Sequence, residues 1–391
     1  DLGEQSYTGI FPSAYSQDVP LGKLDLGICL DCSLVQLMES FDGDVMYGVN
    51  YGYKSSLNES MSEHLKKISI FLRNEIVLLP EEIIVDIGSN DGTLLSFFGG
   101  INKIKRVGVD PTIVKFEKSY HNDIIKIPKF FDKEIFKNAS LEKAKLITSI
   151  SMMYDLENPI KFAEDIFYCL KDDGYWFFEQ SYLGLMIEKL AYDTICHEHI
   201  EYYSAATIKI ILDRTGFIVE KFALNSTNGG SIAILAKKKI NTEQTHCKEF
   251  LKLVEKERKS KLNELQTLKV FADNVKQHKQ SLFDILHEHV SNGKRVMALG
   301  ASTKGNVLLQ YCGLDQSMIL NVGEINNDKF GHFTPGTNIP IISEEEVFMN
   351  NPDILLILPW HFRETFIKKT EKFRQNGGKV LFPLPIIEFV D

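Results

Sequence analysis

The stretch "IIVDIGSNDGTLLSFF" (83–98) constrains the fold more than any other part of the chain. An apolar run is followed by a turn carrying Gly88 and Gly92, and then by the opening of a helix. A short run rich in β-branched residues reads as a buried strand, and a glycine turn leading straight into helical spacing is one unit of a parallel sheet. The unit recurs. "KRVGVDPT" (105–112), "AKLITSISM" (144–152) and "GYWFFEQS" (174–181) read as further strands, with helical stretches between them. Strands and helices alternating at this length predict an α/β fold, a parallel sheet covered on both faces.

The pattern also divides the chain. Residues 1–60 are rich in Gly, Asp, Tyr and Ser, carry "CLDC" at 29–32, and read as a small irregular domain with short strands. "MSEHLKKISIFLRNEIVLL" (61–79) has helical spacing and is closed by Pro80, opening a central domain over 61–240. Residues 241–292 contain no Gly or Pro and many Lys and Glu, which predicts one or two long surface helices bridging domains. Their apolar spacing is too uneven for a coiled coil. Strand signals resume in "KRVMALGASTKGNVLL" (294–309), "ILNVGEIN" (319–326) and "DILLILPW" (353–360), giving a smaller α/β domain over 293–391.

Composition narrows the function. A formal net charge of −9 over 391 residues argues against a general nucleic-acid binder, while leaving room for a local basic pocket. The longest apolar runs, such as "ILLILPW" (354–360), fall far short of the roughly 20 residues that span a bilayer. Residues 1–20 lack the basic start and apolar stretch of a signal peptide. Six scattered cysteines do not suggest a disulfide framework. The expectation is a cytoplasmic protein without a membrane or nucleic-acid partner, either a monomer or a small homo-oligomer.

In the first glycine turn, Asp86, Gly88 and Gly92 stand as D-x-G-x-x-x-G. A dinucleotide site wants G-x-G-x-x-G, so that backbone can approach a pyrophosphate. Here position 90 is Asn, and Asp91 puts a negative charge inside the turn. That disfavours phosphate and suits a cation such as S-adenosylmethionine, which carries a sulfonium and an ammonium. Asp110 ends the next strand, where a carboxylate can take ribose hydroxyls. The alternative is an ordinary tight turn. The second turn, "GASTKGN" (300–306), is not a Walker loop, but its backbone N–H groups, hydroxyls and Lys304 are what a diphosphate needs. It too reads alternatively as a plain strand-to-helix turn.

"YDTICHEHIEYYS" (192–204) concentrates ionisable groups, with His197, Glu198 and His199 in succession. Three readings stay open on the residues alone. On an extended segment His197 and His199 share a side and could chelate zinc, though H-E-x-x-H and an obvious third ligand are missing. They could be satisfied core histidines. Or they could do acid–base chemistry, which a methyl transfer to carbon requires: a proton beside a carbonyl must be removed before carbon becomes a nucleophile.

In order along the chain, "CLDCSLVQL" (29–37), "YGYKSS" (51–56), "VDIGSNDGTLL" (85–95), "YDTICHEHIEYYS", "NGGS" (228–231), "GASTKGN", "FTPGTNIPI" (333–341) and "LPWHF" (358–362) resemble the blocks of three-part sugar C-methyltransferases. These act with S-adenosylmethionine on nucleotide-linked keto-deoxysugars. The resemblance implies a zinc-type N-terminal domain, a Rossmann-like class I methyltransferase domain and a C-terminal α/β domain. It implies His199 as base, supported by Glu198 and His197, with Tyr53 or Tyr51 reaching the sugar. Asp86, Gly88, Asn90, Asp91, Gly92, Asp110, Phe131, Ser151 and Met152 would line the cofactor. Ser55, Asn228 and Lys304 would meet the substrate, Lys304 at its diphosphate. Cys29 and Cys32 would form half of a structural zinc site, whose other pair is expected just upstream of Asp1. Cys196 stands where the family often has Tyr, Asn228 where it often has His, and "SISMMYDLENP" (149–159) lacks an Asn and a His. Two further classes compete: an NAD-dependent sugar-nucleotide oxidoreductase with Glu324 on the ribose, and a non-catalytic double-α/β binding module.

Overall fold

The computed structural model describes residues 1–46, 52–101, 103–139, 141–241 and 243–391. Strands β1 (Glu4–Ser6) and β2 (Leu21–Lys23) pair antiparallel, and β3 (Leu26–Ile28) and β4 (Val35–Leu37) form a hairpin. The central unit contributes β5 (Ile83–Ile87), β6 (Lys105–Val109), β7 (Ile124–Ile127), β8 (Ala144–Ile150) and β9 (Leu170–Ser181). Next come the short β10 (Glu201–Tyr202), then β11 (Phe217–Asn225) and β12 (Ser231–Lys238). The C-terminal unit adds β13 (Val296–Leu299), β14 (Val322–Glu324), β15 (Ile341–Ser343), β16 (Ile354–Ile357), β17 (Lys379–Phe382) and β18 (Glu388–Val390).

Seven strands form the central sheet in the order β11-β12-β9-β8-β5-β6-β7. The run from β9 to β7 is parallel, and β12 lies antiparallel to both of its neighbours. All five residues of β5 are buried, as its unbroken apolar run requires for a strand covered on both faces. The order reverses direction between β5 and β8, and open α/β sheets bind ligands at the strand ends of such a switch point. The second sheet, β15-β14-β13-β16-β17-β18, is parallel apart from β18 and has its own reversal between β13 and β16.

The first long helix runs Glu59–Glu75. Asn58 caps it by accepting from the Met61 N–H, and Met61, Leu65, Ile68 and Leu72 form its buried stripe. It stops well before Pro80. Ile76 is already extended (φ −121°, ψ 122°), so the apolar residues 76–79 do not continue the helix as their spacing suggested.

Two helices cover the Gly- and Pro-free stretch, Lys248–Ser260 and Leu265–Ser291. They do more than bridge. Phe250 of the first is buried in the central core, while Phe271, Val275, Leu282 and Leu286 of the second join the C-terminal core. Glu257 turns inward and accepts from the Tyr182 hydroxyl and from the N–H groups of Ala205 and Ala206. Its charge thus sits at the N-terminus of the helix Ala205–Thr215, where a carboxylate is stabilised.

Cys29 and Cys32 lie in the turn between β3 and β4. The N–H groups of Cys32 and Asp31 hold the Cys29 thiol below its usual range. A tetrahedral zinc site takes four ligands, and among the described residues no group of three or more His, Cys, Asp or Glu stands ready to hold a metal. The residues present do not complete a zinc site. Elemental analysis of this chain after dialysis should therefore find well below one equivalent of zinc. A full equivalent would show that other ligands complete the pair.

Candidate active site

The first glycine turn closes over the ends of β5 and β6. Gly88 and Gly92 have φ of 71° and 78°, a region glycine adopts without cost, and a Cβ on Gly92 would meet the Tyr120 ring at 2.8 Å. Asp110 is tied into this turn. Its Oδ2 accepts the Asn90 N–H at 2.8 Å, and its Oδ1 accepts the N–H and hydroxyl of Thr112 at 2.7 and 2.6 Å. Three of about four carboxylate lone-pair sites are used, so one on Oδ2 is left for a ligand hydroxyl. Asp86 accepts from the Thr148 hydroxyl at 2.6 Å, and burial, with the charge of Asp110, pushes it up to about 7.

Residues 53–56 sit on the same turn. Asn90 Oδ1 accepts the Ser55 N–H, Asp91 Oδ2 accepts the Ser56 N–H, and Asn90 Nδ2 donates to the Tyr53 carbonyl. Ser55 and Tyr53, expected at the sugar, thus also bond the first glycine turn, Tyr53 through its backbone carbonyl. Tyr51 lies outside the described residues. Met152 packs within 3.1 Å of where a Gly88 Cβ would be, and the Ser151 hydroxyl accepts from Asn228 Nδ2. Phe131 packs instead against Phe136 and Phe162. Tyr120, which donates to the Asn90 carbonyl at 2.8 Å, was missed, because nothing in its local sequence marks it.

The CHEH segment is a turn and not an extended strand. The His199 N–H donates to the Cys196 carbonyl at 3.1 Å, with His197 and Glu198 at the corners. The two histidines therefore diverge, which removes the chelate reading. His197 is buried against the rings of Tyr7 and Phe41. Its Nε2–H donates to the Gly22 carbonyl at 3.2 Å, and its Nδ1 faces the N–H and hydroxyl of Thr8, both at 3.4 Å. Burial pulls its pKa down to about 4.

His199 is held differently. Its Nδ1 lies 2.9 Å from the Thr194 carbonyl, an obligate acceptor, so Nδ1 carries the proton and Nε2 keeps its lone pair. The ring rests on Tyr154 at 4.2 Å. Burial, and then the charge of Lys304, lower its pKa to about 3. Buried Glu198 lies near the hydroxyls of Thr8 and Thr303, at 3.4 and 3.5 Å, and burial raises its pKa. A Cβ on Gly9 would lie 2.3 Å from Glu198 Oε1, so only glycine lets the N-terminal segment approach so closely.

Lys304 belongs to this centre. It projects from the start of the helix Thr303–Cys312, donates to the Asn228 carbonyl at 2.6 Å, and is close enough to His199, Asp193 and His361 to shift their titration. Glu324, the proposed ribose ligand of an NAD enzyme, instead accepts from the N–H groups of Ile325 and Asn326. A second pair went unseen in the sequence: His64 meets the buried Glu179 at 2.6 Å, and Glu179 also accepts from Asn225. These residues lie 115 positions apart, and no motif joins them.

Residues 57–221 match a methyltransferase domain and residues 226–385 a C-methyltransferase C-terminal domain. A protein curated as C-methyltransferase NovU, from Streptomyces niveus, is 28% identical over 364 residues, covering 93% of this chain and 86% of its own. The chain thus carries a methyltransferase domain followed by a C-methyltransferase C-terminal domain. The enzyme is accordingly an S-adenosylmethionine-dependent C-methyltransferase, which sets aside the oxidoreductase and the non-catalytic module. Solved structures overlap it over about half its length. One is a Haloferax volcanii complex of the Trm112 activator with a putative methyltransferase (13% identity, TM-score 0.39, 49% of this chain, 96% of that one). Another is the plantazolicin methyltransferase BamL (12%, 0.37, 46% and 86%). The first glycine turn of this C-methyltransferase suits a cationic cofactor: three carboxylates, Asp86, Asp91 and Asp110, and, among the described residues, no cationic side chain bonded into the loop favour a cation over a phosphate. Among the described residues no helix is long and apolar enough to cross a membrane.

Two outcomes follow. Replacing Asp110 by Ala should weaken S-adenosylhomocysteine binding by about 1.5–3 kcal/mol, the range for hydrogen bonds to charged groups. Unchanged affinity by titration calorimetry would move the ribose elsewhere. The second concerns pH. His197 has a folded pKa near 4 against an ordinary 6.5. Below 6.5 the unfolded chain takes up a proton that the fold refuses. Its stability contribution is therefore intact above about 6.5 and falls with pH by up to about 1.4 kcal/mol per unit, levelling off near 4. Urea midpoints at pH 7 and 5 should converge in a His197→Gln variant relative to the parent. An equal pH dependence in both proteins would refute this.

Proposed function

We propose that this enzyme methylates a carbon beside the ketone of a nucleotide-linked keto-deoxysugar, with His199 as the base. The observation that carries the reading is the Thr194 carbonyl, 2.9 Å from His199 Nδ1, which leaves the Nε2 lone pair free to accept a proton. The C–H bond next to the ketone breaks, its proton goes to Nε2, and the electron pair moves through carbon onto the carbonyl oxygen as an enolate. Lys304 stands as the cation for that oxygen, supported by its electrostatic reach to His199. The neighbouring Glu198 offsets the imidazolium that forms. Because His199 is half-buried, the proton then leaves to solvent.

S-adenosylmethionine, when bound, supplies the electrophilic methyl. Asp110, Asn90, Asp91 and the backbone at Gly88 and Gly92 would hold it. Ser55 and Tyr53 serve that end of the site, through their bonds to Asn90. Asn228 spans the two ends, with its amide on Ser151 and its carbonyl on Lys304.

Proton removal can be measured without the methyl donor. Exchange of the α-hydrogen with deuterium, followed by NMR on a keto-deoxysugar nucleotide, should slow about 10²–10⁴-fold in His199→Asn. Methyl transfer should fall by a similar factor, and S-adenosylhomocysteine should still bind. Glu198→Gln should lose less. Exchange at the parent rate in His199→Asn would place the base elsewhere.

A further inference from the structure

The "LPWHF" block has no part in the chemistry above, yet it reaches the reacting centre. Trp360 donates its Nε1–H to Asp193 Oδ2 at 2.8 Å, and Asp193 is only 1% exposed. The other carboxylate oxygen, Oδ1, is buried with no hydrogen-bond partner. So is Nδ1 of His361, the residue after Trp360. A Cβ on Gly229 would lie 3.3 Å from the Trp360 ring, and Gly229 follows Asn228, whose carbonyl takes the Lys304 ammonium. Three distant pieces of chain, 192–194, 228–229 and 360–361, thus converge around Lys304. Two polar atoms at that junction are left unpaired. Native interiors pair the large majority of such atoms, and two exceptions at one junction beside the candidate base call for an explanation, which a ligand supplies. The Lys304 ammonium, bonded to the Asn228 carbonyl, makes no hydrogen bond to either atom.

We infer that Asp193 Oδ1 and His361 Nδ1 form a subsite for hydroxyl groups on the sugar ring, beside the carbon that is methylated. The inference rests on the keto-sugar reading above. The donor set suits a hydroxyl, which both gives and accepts: the carboxylate oxygen only accepts, and the imidazole nitrogen takes either role by tautomer. Sites built to bond a substrate hydroxyl reject analogues lacking it, so these two residues set which sugars enter.

The test is calorimetric titration of uridine and thymidine diphospho-4-keto-6-deoxyglucose into protein saturated with S-adenosylhomocysteine. Asp193→Asn keeps an acceptor for Trp360 and puts a donor where Oδ1 was; His361→Phe keeps the ring shape and removes Nδ1. Each should weaken binding of the nucleotide sugar about tenfold or more. Affinity for S-adenosylhomocysteine and the thermal midpoint should hold, since atoms without partners add nothing to the fold. His361→Asn, which returns a polar atom close to Nδ1, should recover part of the affinity. Unchanged nucleotide-sugar affinity overturns the inference. So does a fall in thermal midpoint that tracks the loss of affinity, because the role would then be structural. If the parent binds neither sugar nucleotide, the keto-sugar reading itself falls, and this subsite with it.

Discussion

His197 gives one ring nitrogen to the Gly22 carbonyl and turns the other to the Thr8 N–H and hydroxyl, and everything at the reacting centre depends on that bracket. A buried imidazole with both sides occupied stays neutral and cannot rotate without stranding backbone groups, each costing about 1–3 kcal/mol. Contacts with the rings of Tyr7 and Phe41 add to the hold. The N-terminal segment is thereby fastened to the turn at residues 196–199. The pairing of β10 with β4 fastens it again a few residues on, at Glu201↔Gln36 and Tyr202↔Val35. With both sides of the turn held, His199 has one orientation available, its Nδ1 on Thr194. His197 thus sets the position of His199, the proposed base.

The C-terminal unit closes the same turn from the other direction. His278 accepts from or donates to the Tyr192 hydroxyl at 2.9 Å and meets the Pro383 carbonyl at 2.6 Å. Tyr192, Ile195 and Cys196 are buried in the same apolar cluster as β13, β16 and β17. The segment 192–204 is therefore shared by all three parts of the chain, and Lys304 reaches it only because that packing brings the two switch points face to face. A two-domain enzyme with a mobile hinge here would have to break this core to open.

The fold was legible where period and punctuation carry it. The strands ending in Ile87, Val109, Ile150 and Ser181 follow from their apolar runs, both glycine turns from a Gly directly after a strand, and the helices over 241–292 from the absence of breakers. His199 was legible as a candidate base only through its neighbours in one motif. What failed did so for one physical reason. A local reading of CHEH assumed an extended backbone, on which alternate side chains share a face, and a turn breaks that alternation. Lys304 was read as a phosphate ligand from its loop, and the loop could not show its bond to Asn228, 76 positions away. His64 with Glu179, and Trp360 with Asp193, pair across 115 and 167 positions. No periodicity encodes such contacts; they exist only once two sheets have packed.

Lys304 presents a conflict that its position resolves. An ammonium beside a histidine makes that histidine a poor base, and His199 is driven far below its ordinary range in the free protein. Ideal proton transfer wants a base matched to the working pH. Yet the same ammonium is what an enolate oxygen needs, and the proton is transferred only as that negative charge develops. Each increment of charge on the oxygen cancels part of the field of Lys304 at His199, so the base strengthens as the proton moves toward it. In water the screening would erase this coupling; in a half-buried turn packed between two sheets it is retained. In the proposed reaction the arrangement would therefore bind the charge of the transition state more tightly than that of the ketone, which is the condition for lowering a barrier.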